Sequence, residues 1–168
     1  MLNQRLGVFA AIAIVLGVSN VSTVAPAKEH DSELEIGAVF ERRLGTSLTH
    51  VGPSFAIEFT PLEHWLELEV GVSRLQVEEA TEWQAGVTFK KPFELSSSSE
   101  LLIGLGPTWT HSNAPGEPTG AWGGEFSLDF QFYTHGRWGW FIEPSYSVGF
   151  ERGSEKAVAI TAGLLIGL

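Results

Sequence analysis

From Glu33 to the end of the chain, an apolar side chain returns at nearly every second position, with a small or polar one between. The stretch "LEHWLELEVGV", Leu62 to Val72, shows the pattern: Leu66, Leu68, Val70 and Val72 are separated by Glu67, Glu69 and Gly71. A period of two marks a strand with unlike faces, because successive side chains on a strand point to opposite sides. The pattern recurs eight times, over approximately 33–42, 50–60, 65–75, 81–91, 100–110, 121–133, 138–150 and 157–168, between polar or Gly/Pro-containing breaks. Each segment is long enough to cross a bilayer as a tilted strand, which takes roughly 9–11 residues. Outside the N-terminal segment no window sustains the 3.6 period of a helix.

One face is built from residues such as Leu34, Ile36, Phe40, Phe55, Ile57 and Phe59, and later Val87, Phe89, Phe126, Phe130, Ile160 and Leu164. The other is dense in Gly, Ser and acids. A soluble barrel turns its apolar face inward and a membrane barrel turns it outward, so the period alone does not choose. Three features favour the membrane. The small residues of the polar face suit a narrow interior. An even strand number closes an up-and-down barrel without an edge. The tryptophans avoid mid-strand positions: with the first strand running outward from the periplasm, Trp83, Trp109 and Trp122 fall near outer strand ends and Trp65, Trp138 and Trp140 near inner ones. Amphipathic rings at two levels form the aromatic girdles of a membrane-spanning barrel. The expectation is an all-β fold: a closed, antiparallel, up-and-down, eight-stranded transmembrane β-barrel.

This topology places short outward loops at 43–49, 76–80, 111–120 and 152–156, and inward turns at 61–64, in "KKPFELSSSSE" and in "THGRW". Pro53, Pro107 and Pro144 fall inside strands, where a closed sheet offers no free edge, so bulges or frayed ends are expected there. The soluble rival is a periplasmic barrel around an apolar pocket.

The first residues sharpen the compartment. Arg5, an apolar run from Leu6 to about Val18, and Ala25-Pro26-Ala27 make the three parts of a secretory signal peptide, so residues 1–27 are expected to be removed and 28–168 to form one barrel domain. Without Arg5, nine basic residues face twenty acidic ones, a net charge of −11. That balance argues against nucleic acid as a partner. The absence of cysteine excludes a disulfide framework and thiolate metal sites.

Alternation sends Glu35, Glu41, Glu58, Glu67, Glu69, Glu125, Asp129 and Glu143 into the lumen, with Lys90 as the clearest base among them. Carboxylates there must be hydrated, protonated or associated with cations. One consequence is a polar network that stiffens a small barrel; another is a cation-attracting lumen.

The segment "WTHSNAPGEPTGAWGGEF" carries candidate catalysis. His111, Ser112 and Glu125 are the residue types of an acyl-transfer triad, in which the base activates the hydroxyl and the acid orients the base; Asn113 is a candidate oxyanion donor. These residues resemble the His-x-Ser-Asn and later Glu of outer-membrane lipid A deacylase barrels. The resemblance implies Ser112 as nucleophile, His111 as base and Glu125 as orienter. This chain lacks the residue between His and Ser, so on a regular strand His111 and Ser112 point to opposite faces. The remaining histidines, His30, His50, His64 and His135, show no metal-ligand spacing.

More generally, "LLIGLGPTWTH", "GGEFSLDFQF", "GWFIEPSYSVGF" and "AVAITAGLLIGL" are similar to segments of small eight-stranded outer-membrane barrels. That family usually ends in an aromatic residue, whereas this chain ends in Leu168. The resemblance implies a monomeric barrel of the bacterial outer membrane that contacts lipopolysaccharide and phospholipid and is inserted by the barrel assembly machinery. The leading expectation is a structural or interaction role without catalysis, metal or cofactor. The alternatives are an acyl hydrolase of lipid A or phospholipid and a narrow cation-selective pore.

Overall fold

The computed structural model describes residues 32–45, 49–62, 64–77, 80–113, 120–134, 136–150 and 155–168. The expected signal peptide lies outside them. Eight strands follow one another: β1 (Ser32–Arg43), β2 (Thr49–Leu62), β3 (Leu66–Val77), β4 (Ala80–Ser96), β5 (Ser99–Ser112), β6 (Ala121–Tyr133), β7 (Trp138–Gly149) and β8 (Lys156–Gly167). Each pairs antiparallel with the next, and β8 returns to β1 along Glu33↔Gly167 to Arg43↔Ala157. The barrel is closed, and each strand pairs with a neighbour on both sides over most of its described length.

The face assignment follows the alternation. Phe40, Phe55, Phe59, Val70, Phe89, Leu105 and Leu164 are exposed on the outside, while Glu35, Glu58, Glu67, Lys90 and Asp129 are buried inside. The soluble rival, with its apolar pocket inward, is therefore not the arrangement adopted.

Two segments depart from expectation. "KKPFELSSSSE" is not an open link: β4 runs 17 residues to Ser96 and turns directly into β5, with Glu94↔Glu100 and Ser96↔Ser99 still paired. Serine chemistry closes the tip, since the Ser96 and Ser99 hydroxyls lie 2.7 Å apart and the Ser98 N–H donates to Ser96 Oγ. Pro92 is tolerated because it lies beyond Glu67↔Lys90, the last β3–β4 pair, and keeps a strand neighbour on one side only. Arg43 is not a loop residue; it ends β1 as a buried, inward side chain.

The internal prolines produce neither bulges nor frayed ends. Around Pro53, Pro107 and Pro144 the register is unbroken on one side (Ala38↔Pro53, Pro107↔Gly124, Pro144↔Ile160), and pairing lapses for two positions on the other. The register shifts lie elsewhere, at Phe59/Leu62 and Glu94/Ser96. At two of the three prolines the preceding residue is glycine, and a neighbouring carbonyl closes over it. A Cβ on Gly52 would stand 1.7 Å from the Arg74 oxygen, and one on Gly106 would stand 1.9 Å from the Val87 oxygen. Only glycine admits that approach.

Candidate functional site

The lumen is the polar, enclosed part of the molecule, and three layers of side chains fill it. Near the rim that holds Ser32 and Gly167, the Tyr133 hydroxyl donates to Gln131 Oε1 at 2.6 Å, and Gln131 Nε2 donates to Asp129 Oδ2 at 2.8 Å and to Glu58 at 3.3 Å. Near the opposite rim Arg43 bonds Glu82, lies 3.8 Å from Glu41 and reaches Glu155 at 3.1 Å; Gln84 donates to Glu41 at 2.8 Å. His50 stands 3.4 Å from Glu41. Beneath this lid Val39 packs on Leu75, an apolar constriction.

The middle layer is organised by Lys90, which has no solvent exposure. Its ammonium bonds Glu69, donates to Asp129 at 2.9 Å, and has Glu58 at 3.5 Å, Glu143 at 3.7 Å and Glu35 at 4.0 Å. Gly104 makes room for the lysine stem: a Cβ there would meet Lys90 Cγ at 3.2 Å and Ser127 Oγ at 2.6 Å. Beside this layer lies a cavity of about 80 Å³, lined by Glu35, Glu69, Glu125, Glu143, Thr88 and Ser145 among others.

Every acid that alternation sends inward is on the lumen wall. Glu35, Glu41, Glu58, Glu67, Glu69, Asp129 and Glu143 are all buried, and Glu125 lines the cavity while accepting from Ser145 at 3.1 Å. Sequence reasoning missed four partners: Glu33, Glu82, Arg43 and His50. Their parity was readable, but they sit at strand ends, where a boundary error of one or two residues turns a lumen residue into a loop residue. The large apolar residues that plug the lumen, Leu102, Phe141 and Leu165, were missed as well. Glycine was the available signal: Phe141 lies across from Gly163, and its ring reaches the space above Gly37.

The triad residues are not brought together. His111 is exposed on the outer face and stacks on Trp109 with ring centroids 5.6 Å apart, whereas Ser112 is buried on the inner face. Glu125 pairs with Gly106, six residues back along β5, so it stands about 20 Å from Ser112 at roughly 3.3 Å per residue. Asn113 has another task. Its side-chain carbonyl accepts from the Thr81 N–H at 2.8 Å and its own N–H donates to the Thr81 carbonyl, which extends the β4–β5 ladder by one step. The strand is regular through His111 and Ser112, and regularity separates them.

Trp83, Trp109 and Trp122 lie on the outer face at the rim away from the chain ends, on adjacent strands, with Trp109↔Trp122 directly paired. Trp65, Trp138 and Trp140 lie at the other rim, Trp140 stacked on Phe132 at 4.0 Å.

Among solved structures, the chain superposes on Neisserial surface protein A with a TM-score of 0.65 at 9% identity, over 82% of this chain and 96% of that one. The fold is that of a small outer-membrane β-barrel. The outer membrane protein OprG of Pseudomonas aeruginosa gives 0.58 at 11% identity, over 85% and 98%. Ail, the attachment invasion locus protein of Yersinia pestis, gives 0.51 at 17% identity, over 83% and 100%. At these identities the likeness is one of fold. No family model matches the sequence, and no curated protein does.

Proposed function

We propose that this chain is an exported, monomeric barrel of a bacterial outer membrane with a structural or interaction role and no catalytic site. The observation that carries the reading is the pairing of an apolar exterior, bounded by tryptophans at both rims, with an interior filled by ion pairs and hydrogen bonds. A soluble protein rarely exposes apolar surface on this scale. Lipid covers it, so lipopolysaccharide and phospholipid are its contacts, and its insertion uses the barrel assembly machinery. The filled lumen favours a rivet over a channel: Lys90, Leu75, Leu102 and Phe141 are buried in the interior that ions would have to cross. The separation of His111, Ser112 and Glu125 favours a non-catalytic role over an acyl hydrolase.

The test combines two measurements on one preparation. Outer-membrane fractions of producing cells should contain a band that shifts on heating, the mark of a folded barrel, and lipid A from the same fractions should keep its mass. Loss of an acyl chain that disappears with Ser112→Ala would replace this reading with the hydrolase. Recovery of the folded chain in solution without detergent would remove the membrane from it.

A further inference from the structure

Lys90 has three N–H donors, and five carboxylates surround it. Glu69, Asp129 and Glu58 take the near positions. Glu143 at 3.7 Å and Glu35 at 4.0 Å are beyond hydrogen-bond reach of the ammonium. Glu35 Oε1 is buried and accepts no hydrogen bond, and neither does Asp129 Oδ1. An orphaned carboxylate oxygen away from water is expensive and calls for a cation.

On the Glu35 side the cluster opens on a space. Glu35, Glu69 and Glu143 present carboxylate oxygens within 4.8 Å of one another, the separation that allows all three to reach one ion at roughly 2.3–2.6 Å. The same three residues line the cavity of about 80 Å³, together with the hydroxyl-bearing Thr88 and Ser145. That volume accommodates a cation with the waters needed to complete six to eight oxygen ligands. The charge of the interior points the same way: nine carboxylates are buried, against Arg43 and Lys90 as the only buried side chains of permanent positive charge among the described residues.

We infer that Glu35, Glu69 and Glu143 form a site for a hard divalent cation such as Ca²⁺ inside the barrel, next to the Lys90 ammonium. The ion bridges β1, β3 and β7, three non-adjacent strands, and so cross-links the wall through its interior. Oxygen-only donors select Ca²⁺ or Mg²⁺ over thiophilic metals, and flexible carboxylates around a roomy cavity favour Ca²⁺. The site is independent of any surface role of the barrel.

The test uses the full barrel, folded in detergent in the presence of radiolabelled CaCl2 so that a closed lumen does not bar entry, then dialysed to equilibrium against labelled Ca²⁺ of the same specific activity. Wild type should retain about one equivalent, and Glu35→Gln/Glu143→Gln should bind at least tenfold more weakly. The heat-dependent gel shift reports whether each protein is folded. Both substitutions remove charge from a crowded acidic cluster, so the variant should fold. If it does not, thermal unfolding of wild type decides: a midpoint raised by CaCl2 and not by NaCl of equal ionic strength supports the site, and equal midpoints overturn it. No saturable binding by wild type, or undiminished binding by a folded double variant, also overturns it.

Discussion

At the residue scale, Lys90 is the side chain on which the interior depends most. An ammonium without solvent contact is tolerated only because carboxylates surround it, and those carboxylates in turn need it. Replacing Lys90 by Met keeps the stem volume beside Gly104 and removes the charge, leaving Asp129 and Glu69 facing Glu58 without a counter-ion. Breaking a buried pair in this way typically costs about 3–5 kcal/mol. Urea unfolding in lipid vesicles should show a midpoint lowered to match, and an unchanged midpoint would mean that the carboxylates are already neutralised without the lysine. The same substitution at Lys91, whose ammonium instead reaches the His64 carbonyl and the Phe93 ring, should change the unfolding free energy by less than about 0.5 kcal/mol.

At the scale of the strand, the two Gly-Pro steps explain how prolines sit in a closed sheet. Each proline lacks the N–H its neighbour needs, and the neighbouring carbonyl moves over the preceding glycine. Gly106→Ala would drive a methyl into the Val87 carbonyl, so the folded band on heat-shift gels should be lost or the stability should fall by roughly 3 kcal/mol. Gly86→Ala is the matched control on the adjoining strand, because a Cβ there meets the Pro107 oxygen and Thr108 at an ordinary 3.5 Å. A barrel that tolerates both substitutions equally would show that the close approach carries no weight. Strand boundaries were readable to within two residues for every strand except β4, whose run through Pro92 to the first of four serines reads as a loop. The register rescued it: pairing with β5 persists past the point where propensity alone ends a strand.

Taken whole, the molecule is a short cylinder, apolar outside and ionic inside, with tryptophans at both ends. If lipid covers the wall, tryptophan fluorescence should be quenched more by bromines near the headgroup than by bromines at the bilayer centre, since all six rings lie near strand ends. The opposite order would place the rings at the midplane and contradict the embedding. The filled interior has its own consequence for transport. Planar bilayers containing the wild-type barrel should show no open-channel steps, and Glu67→Gln or Glu69→Gln should not create them, because the plug includes Leu75, Leu102 and Phe141 as well as the acids. Steady conductance abolished by either substitution would restore the cation-pore reading.

Alternation is a local property. It is written into each run of residues because the backbone of a strand throws successive side chains to opposite sides, and it therefore specified eight strands, their two faces and the girdle tryptophans without any knowledge of the fold. It could not say which face is inside, since a period of two is the same read from either side; the direction in which the closed wall curves, burying Glu58 and Lys90 and exposing Phe55 and Phe89, decided that. Nor could it say which inward residues meet. Glu35 and Lys90 are far apart in the chain and lie on β1 and β4, and only the curvature of the closed wall brings them across the lumen to 4.0 Å. The same geometry separated His111 from Ser112: adjacent residues on a regular strand stay on opposite faces, however suggestive their order.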